Sequence, residues 1–70
     1  MRTKKQALAI ANKANQLNGK EFEKYLLKQK FVFFTTGKLY VPTIREENGF
    51  IILNYWGNGN PIDVLIMFNA

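Results

Sequence analysis

Seventy residues without a cysteine make one small domain, 1–70, with no disulfide framework, and a chain this short buries only about 60% of its unfolded surface. A 47% hydrophobic content with six Phe, three Tyr and one Trp still allows a dense core, so neither a metal nor a disulfide is required for folding. The net charge of +5 lies in one half: residues 1–30 carry eight basic and two acidic side chains, and residues 31–70 carry two basic and three acidic ones.

That asymmetry favours an acidic partner, whether nucleic acid, an anionic membrane or an acidic protein surface, with the membrane last because the apolar residues of 7–14 are mostly alanine. The apolar run 7–11 is too short for a signal-peptide core, and no stretch approaches the roughly 20 apolar residues of a membrane span. A cytoplasmic protein with no membrane partner is the expectation.

Thr3 with Gln6 three residues later forms a capping-box pattern and should start a helix. Ala7, Ile10, Ala11, Ala14 and Leu17 then recur at helical spacing as a small-residue stripe. Asn18-Gly19 should stop this helix, and Asn18, with Glu21 three residues on, should cap a second one reaching about Gln29 through Phe22, Tyr25 and Leu26. Their outer faces carry the basic charge of 1–30. From Phe31 the pattern turns to β-branched and aromatic runs, with strands expected over 31–35, 38–45, 50–56 and 62–68. Thr36-Gly37, Asn48-Gly49 and Gly57-Asn58-Gly59-Asn60 separate them, so the expected fold is α+β, two N-terminal helices followed by a four-stranded antiparallel β-meander. Pro42 suggests an edge or a bulge in the second strand.

The strands do not alternate as a sheet with one wet face should. Phe31-Val32-Phe33-Phe34 and Phe50-Ile51-Ile52-Leu53 are apolar on both sides, so both sheet faces call for cover. This surplus points to a protein-binding role, with Tyr40, Tyr55 and Trp56 as partner-binding residues, because Tyr and Trp bury much area at little rotamer cost. The terminal strand 62–68 could add to another sheet edge in a target or in a second copy, giving a homodimer.

Catalysis is not expected. The chain has no Ser, Cys or His, which removes the common nucleophilic systems, the commonest acid–base group and the preferred zinc ligands, so neither a metal nor a cofactor is anticipated. Glu46 and Glu47 are neighbours beside a turn and should point to opposite faces. Gly57-Asn58-Gly59-Asn60 is followed by Pro61 and a strand rather than by a helix, so it reads as a hairpin loop and not a phosphate cradle.

Nucleic-acid binding is the alternative, with Lys4, Lys5, Lys13, Lys20, Lys24 and Lys28 on the phosphate backbone and Tyr40, Tyr55 or Trp56 stacking on bases. Only two arginines are available for bidentate recognition. In the order of its elements the chain also resembles the small RelE-like messenger-RNA interferase toxins without their first strand. That resemblance implies a metal-free ribonuclease with Lys38, Tyr40, Arg45 and Tyr55 as its cationic and phenolic groups. Small Lys- and Asn-rich chains lacking catalytic residue types are frequent among phage and mobile-element proteins that block a host protein. A non-enzymatic binding protein of that kind is the leading expectation.

Overall fold

The computed structural model describes residues 1–38, 43–57 and 59–69. Two helices, α1 (Lys4–Asn15) and α2 (Gly19–Leu27), precede four strands, β1 (Val32–Thr36), β2 (Ile44–Glu47), β3 (Phe50–Gly57) and β4 (Asn60–Met67), in one antiparallel sheet. The expected α+β arrangement is therefore present.

Helix α1 starts where the capping box indicates. The Gln6 N–H donates to the Thr3 hydroxyl at 3.2 Å, and the Thr3 N–H donates to Gln6 Oε1 at 2.8 Å. Its stripe of Ala7, Ala11 and Ala14 has no solvent exposure and lies on β3 and β4, where alanine lets a helix approach a sheet closely. The helix ends at Asn15, capped by Gln16, before the expected stop. Gly19 does adopt the left-handed conformation, with φ +56°, but as the first residue of α2. Asn18 precedes it without any side-chain capping bond, contrary to the sequence pattern, because the left-handed Gly19 breaks the regular first-turn geometry that such a cap requires. Helix α2 adds Leu26 to the core and packs Phe22 and Tyr25 at its margin.

The strand order is β1-β4-β3-β2. Strands β2, β3 and β4 form the expected meander, but β1 pairs with β4 and not with β2, giving Greek-key order. The meander is thus three strands long. In a four-strand meander β4, apolar along nearly its whole length, would be an exposed edge. Pairing it on both sides buries it and leaves the short, charged β2 as an edge. The turn expected at Thr36-Gly37 consequently makes no hairpin. Of the expected strand 38–45, Ile44 and Arg45 belong to β2, which runs on to Glu47; Tyr40 and Pro42 lie outside the described residues. Asn48 and Gly49 both have positive φ, as the tight Asn-Gly hairpin requires.

The two ends of the chain are pinned together. Thr3 bridges Asn69 in parallel, the Asn69 N–H donates to the Arg2 carbonyl at 3.0 Å, and the Arg2 guanidinium donates to the carbonyls of Met67, at 2.8 Å, and Lys30.

Leaving β1, the chain passes tightly over the sheet at Gly37, whose N–H donates to the Pro61 carbonyl at 2.9 Å. A Cβ there would lie 2.7 Å from Asn54 Nδ2, 2.8 Å from Asp63 Oδ1 and 3.0 Å from the Ile62 backbone. Gly37→Ala is expected to cost about 1–3 kcal/mol of stability through this overpacking, measured as a shift of the urea midpoint with unchanged slope.

Candidate functional site

Cross-strand partners share a face, so the registers divide the sheet in two. One face turns Ile51, Leu53, Val64 and Ile66 to the helices. The opposite face presents Phe33 from β1, Leu65 and Met67 from β4, Phe50 and Ile52 from β3, and Arg45 from β2. Among the described residues no helix covers it. Phe33 and Phe50 meet edge to face with centroids 6.4 Å apart. Among the described residues four aromatic side chains stand well out in solvent: Phe31 at 49% exposure, Phe33 at 47%, Phe34 at 40% and Trp56 at 64%.

A polar band crosses the open face. Asp63, nearly buried on β4, accepts from Arg45 Nη2 at 2.9 Å and from Asn54 Nδ2 at 2.7 Å. Arg45 also pairs with Glu47. Burial alone would push the Asp63 carboxyl up. The hydrogen bonds from Arg45 and Asn54, with the positive charges of Arg45 and Lys38, outweigh it and hold the carboxyl below its ordinary value. Thr35, Lys38, Arg45, Glu47 and Asp63 line a cleft of about 340 Å³ here. Both acidic groups beside Arg45 compensate its charge, so the cleft is not an anion trap.

Of the aromatic residues singled out in the sequence, Tyr40 lies outside the described residues, and Tyr55 and Trp56 leave β3 on opposite faces although both border one cleft at its end. Tyr55 and Trp56 are consecutive on β3 and so face opposite ways. Tyr55 is half-buried on the helix side, its ring 4.7 Å from that of Phe22, and burial with the nearby Glu23 carboxylate pushes its phenol up. Trp56 projects near the β3–β4 hairpin, where Leu17, Asn18, Lys20, Phe22, Tyr55 and Trp56 border a second cleft of about 480 Å³. Of the residues implied by the ribonuclease resemblance, Lys38 and Arg45 line one cleft on the open face, Tyr55 lies on the helix side, and Tyr40 lies outside the described residues. Glu46 and Glu47 do split as expected, Glu46 pairing with Lys4 of α1 at 2.6 Å and Glu47 with Arg45.

All six candidate nucleic-acid-binding lysines, Lys4, Lys5, Lys13, Lys20, Lys24 and Lys28, are exposed on the helical layer. Lys4 is held by Glu46, and the Lys13 ammonium sits 5.1 Å from the Tyr25 ring centre. Both arginines are engaged internally, Arg2 at the chain ends and Arg45 on the open face. The exposed Phe33 phenyl is the open-face residue that the sequence pattern did not single out, although the two-sided apolar run 31–34 was the signal. The lone Asp63 within an otherwise apolar strand was the corresponding signal for a buried partner.

No protein-family model matches the chain, and neither does any curated protein or solved structure.

The stabilisation from Asp63 is complete above the ordinary aspartate value near 3.8 and disappears as pH falls through its lower value in the folded state. Acid unfolding should therefore cost the unmodified chain more stability than the Asp63→Asn variant between about pH 4 and pH 2, read from urea midpoints at each pH.

Proposed function

We propose that this chain is a small, non-enzymatic binding protein that engages another protein through the open face of its sheet, in the reducing cytoplasm that a cysteine-free chain suits. The carrying observation is the sheet face that no helix covers among the described residues, with Phe33 exposed, Phe50, Leu65 and Met67 half-buried, and Trp56 exposed beyond its polar band. Interfaces of this kind combine aromatic anchors with a few polar groups that fix orientation, and the hydrogen-bonded Arg45, Asp63 and Asn54, with the buried Arg45 Nη1 still lacking an acceptor among the described residues, supply such groups. Phe31 supports the same reading. It holds a positive φ of 58°, a conformation that costs a bulky residue about 1–2 kcal/mol where glycine would fit freely, yet its phenyl stays half in solvent. An inhibitor of a host protein, of the phage or mobile-element kind, is the specific form that the composition favours.

Immobilised protein offered a nuclease-treated cell lysate should retain a protein partner. Trp56→Ala and Phe33→Asp should each weaken that retention at least about fivefold, the loss of an anchor worth roughly 1 kcal/mol, with an unchanged circular dichroism spectrum. Equal retention by both variants overturns the reading.

Nucleic-acid binding is the second reading, favoured by the exposure of all six lysines on the helical layer. It requires affinity for RNA or DNA that falls steeply with salt, and a Lys20→Glu/Lys24→Glu variant with a shallower slope. Salt-insensitive binding, or none, removes it.

A further inference from the structure

The two sheet edges differ in kind. Strand β2 presents Ile44-Arg45-Glu46-Glu47, a short edge of the charged type that discourages pairing. Strand β1 has no such protection. Residues 31–37 contain no charge and no proline, and Phe34, Thr35 and Thr36 are exposed.

The backbone groups left free on β1 follow from its register. The Met67 N–H donates to the Phe31 carbonyl at 3.1 Å, and the Gly37 N–H to the Pro61 carbonyl at 2.9 Å. Antiparallel ladders alternate, so with Val32↔Ile66 to Thr36↔Ile62 in register the inward bonds belong to Phe31, Phe33, Thr35 and Gly37. Val32, Phe34 and Thr36 turn their N–H and C=O groups outward. Three residues spaced two apart form a set that a two-fold axis through Phe34 maps onto itself. Val32 then meets Thr36 of the second copy, Phe34 meets Phe34, and each such pair closes two hydrogen bonds.

We propose that β1 pairs antiparallel with β1 of a second copy about a two-fold axis at Phe34, joining the two sheets into one. The side chains agree with this register. Phe34 packs on Phe34 along the helix-side margin, and Phe33 lies beside Thr35 of the second copy on the open face, pairs of the aromatic and β-branched kind that stabilise sheets. Extending the ladder further would set Lys30 against Lys38 of the second copy, so the pairing stops at five residues. Two such edges with their half-exposed phenyls bury on the order of 800–1,000 Å² in total, which is the range of a weak, reversible dimer. The pairing also merges the two open faces into one broader apolar surface. The proposal rests on reading the sheet as a binding element, but its failure is distinguishable, because Phe34 lies on the helix-side margin and not on the open face.

The test is sedimentation velocity of the purified chain from about 1 µM to 1 mM, with dissociation constants expected at micromolar level. Phe34→Lys, which sets two ammonium groups face to face at the axis, should raise the dissociation constant about 100-fold or more while leaving lysate partner capture unchanged. The complementary measurement needs no variant. Amide hydrogen exchange of the unmodified chain should slow with protein concentration at Val32, Phe34 and Thr36 and stay concentration-independent at Phe33 and Thr35. A chain that remains monomeric to 1 mM overturns the proposal. So does a dimer that survives Phe34→Lys, or concentration-dependent protection at the amides of β2 instead of β1.

Discussion

Strand β4 is hydrogen-bonded on both sides, by β1 and by β3, and the rest of the architecture follows from that pairing. β4 carries Val64 and Ile66 into the helix-facing core and Leu65 and Met67 to the other face, so it has apolar atoms to shield in every direction. A central position is the arrangement that satisfies such a strand. Bringing the first strand beside the last has a topological consequence. Strands β1 and β2 end on opposite edges, and the link between them must leave β1 over the sheet. Gly37 makes that departure possible, since no larger residue fits between Asn54, Asp63 and the Ile62 backbone.

The same pairing organises the polar part of the sheet. Asp63 sits centrally on β4, and its desolvation is compensated by Arg45 from β2 and Asn54 from β3. A carboxylate removed from water without such partners would be strongly unfavourable, and removing Arg45 would strand the Asp63 charge. The cluster therefore ties the register of three strands together. It also divides the open face, separating the Phe33–Phe50 end from Trp56. A partner protein would meet an apolar region, a compensated polar band and a projecting indole in sequence along one surface.

Most of the exposed lysines lie on the helical layer, Lys38 being on the open face, while the exposed aromatic side chains belong to the sheet side, and both arginines are engaged by internal contacts. This division makes the two functional readings physically distinct, because each uses a surface that the other leaves free. It also accounts for how so small a chain can carry so many apolar residues. Lysines on the helical layer maintain favourable hydration and offset the apolar side chains exposed on the sheet.

Local chemistry made much of this legible in the residues themselves. Thr3 and Gln6 marked the start of α1, the alanine stripe marked its buried face, Asn48-Gly49 marked a hairpin, and the alternation rule sent Glu46 and Glu47 to opposite faces, because each depends on neighbours a few positions away. The neighbour of β1 was not legible in the same way. Pairing across some thirty residues depends on which strand most needs two flanks, and local pattern does not rank that need. Tyr55 and Trp56 likewise look alike as aromatic residues, and only the register of β3 sends one under the helices and the other into solvent. The sequence by itself determined the order of two helices and four strands and the concentration of basic charge in residues 1–30, both of which rest on short-range propensity and composition. The tertiary structure alone decided the strand order, the free edge at β1 and the Arg45–Asp63–Asn54 cluster, because those arise from contacts between residues far apart in the chain.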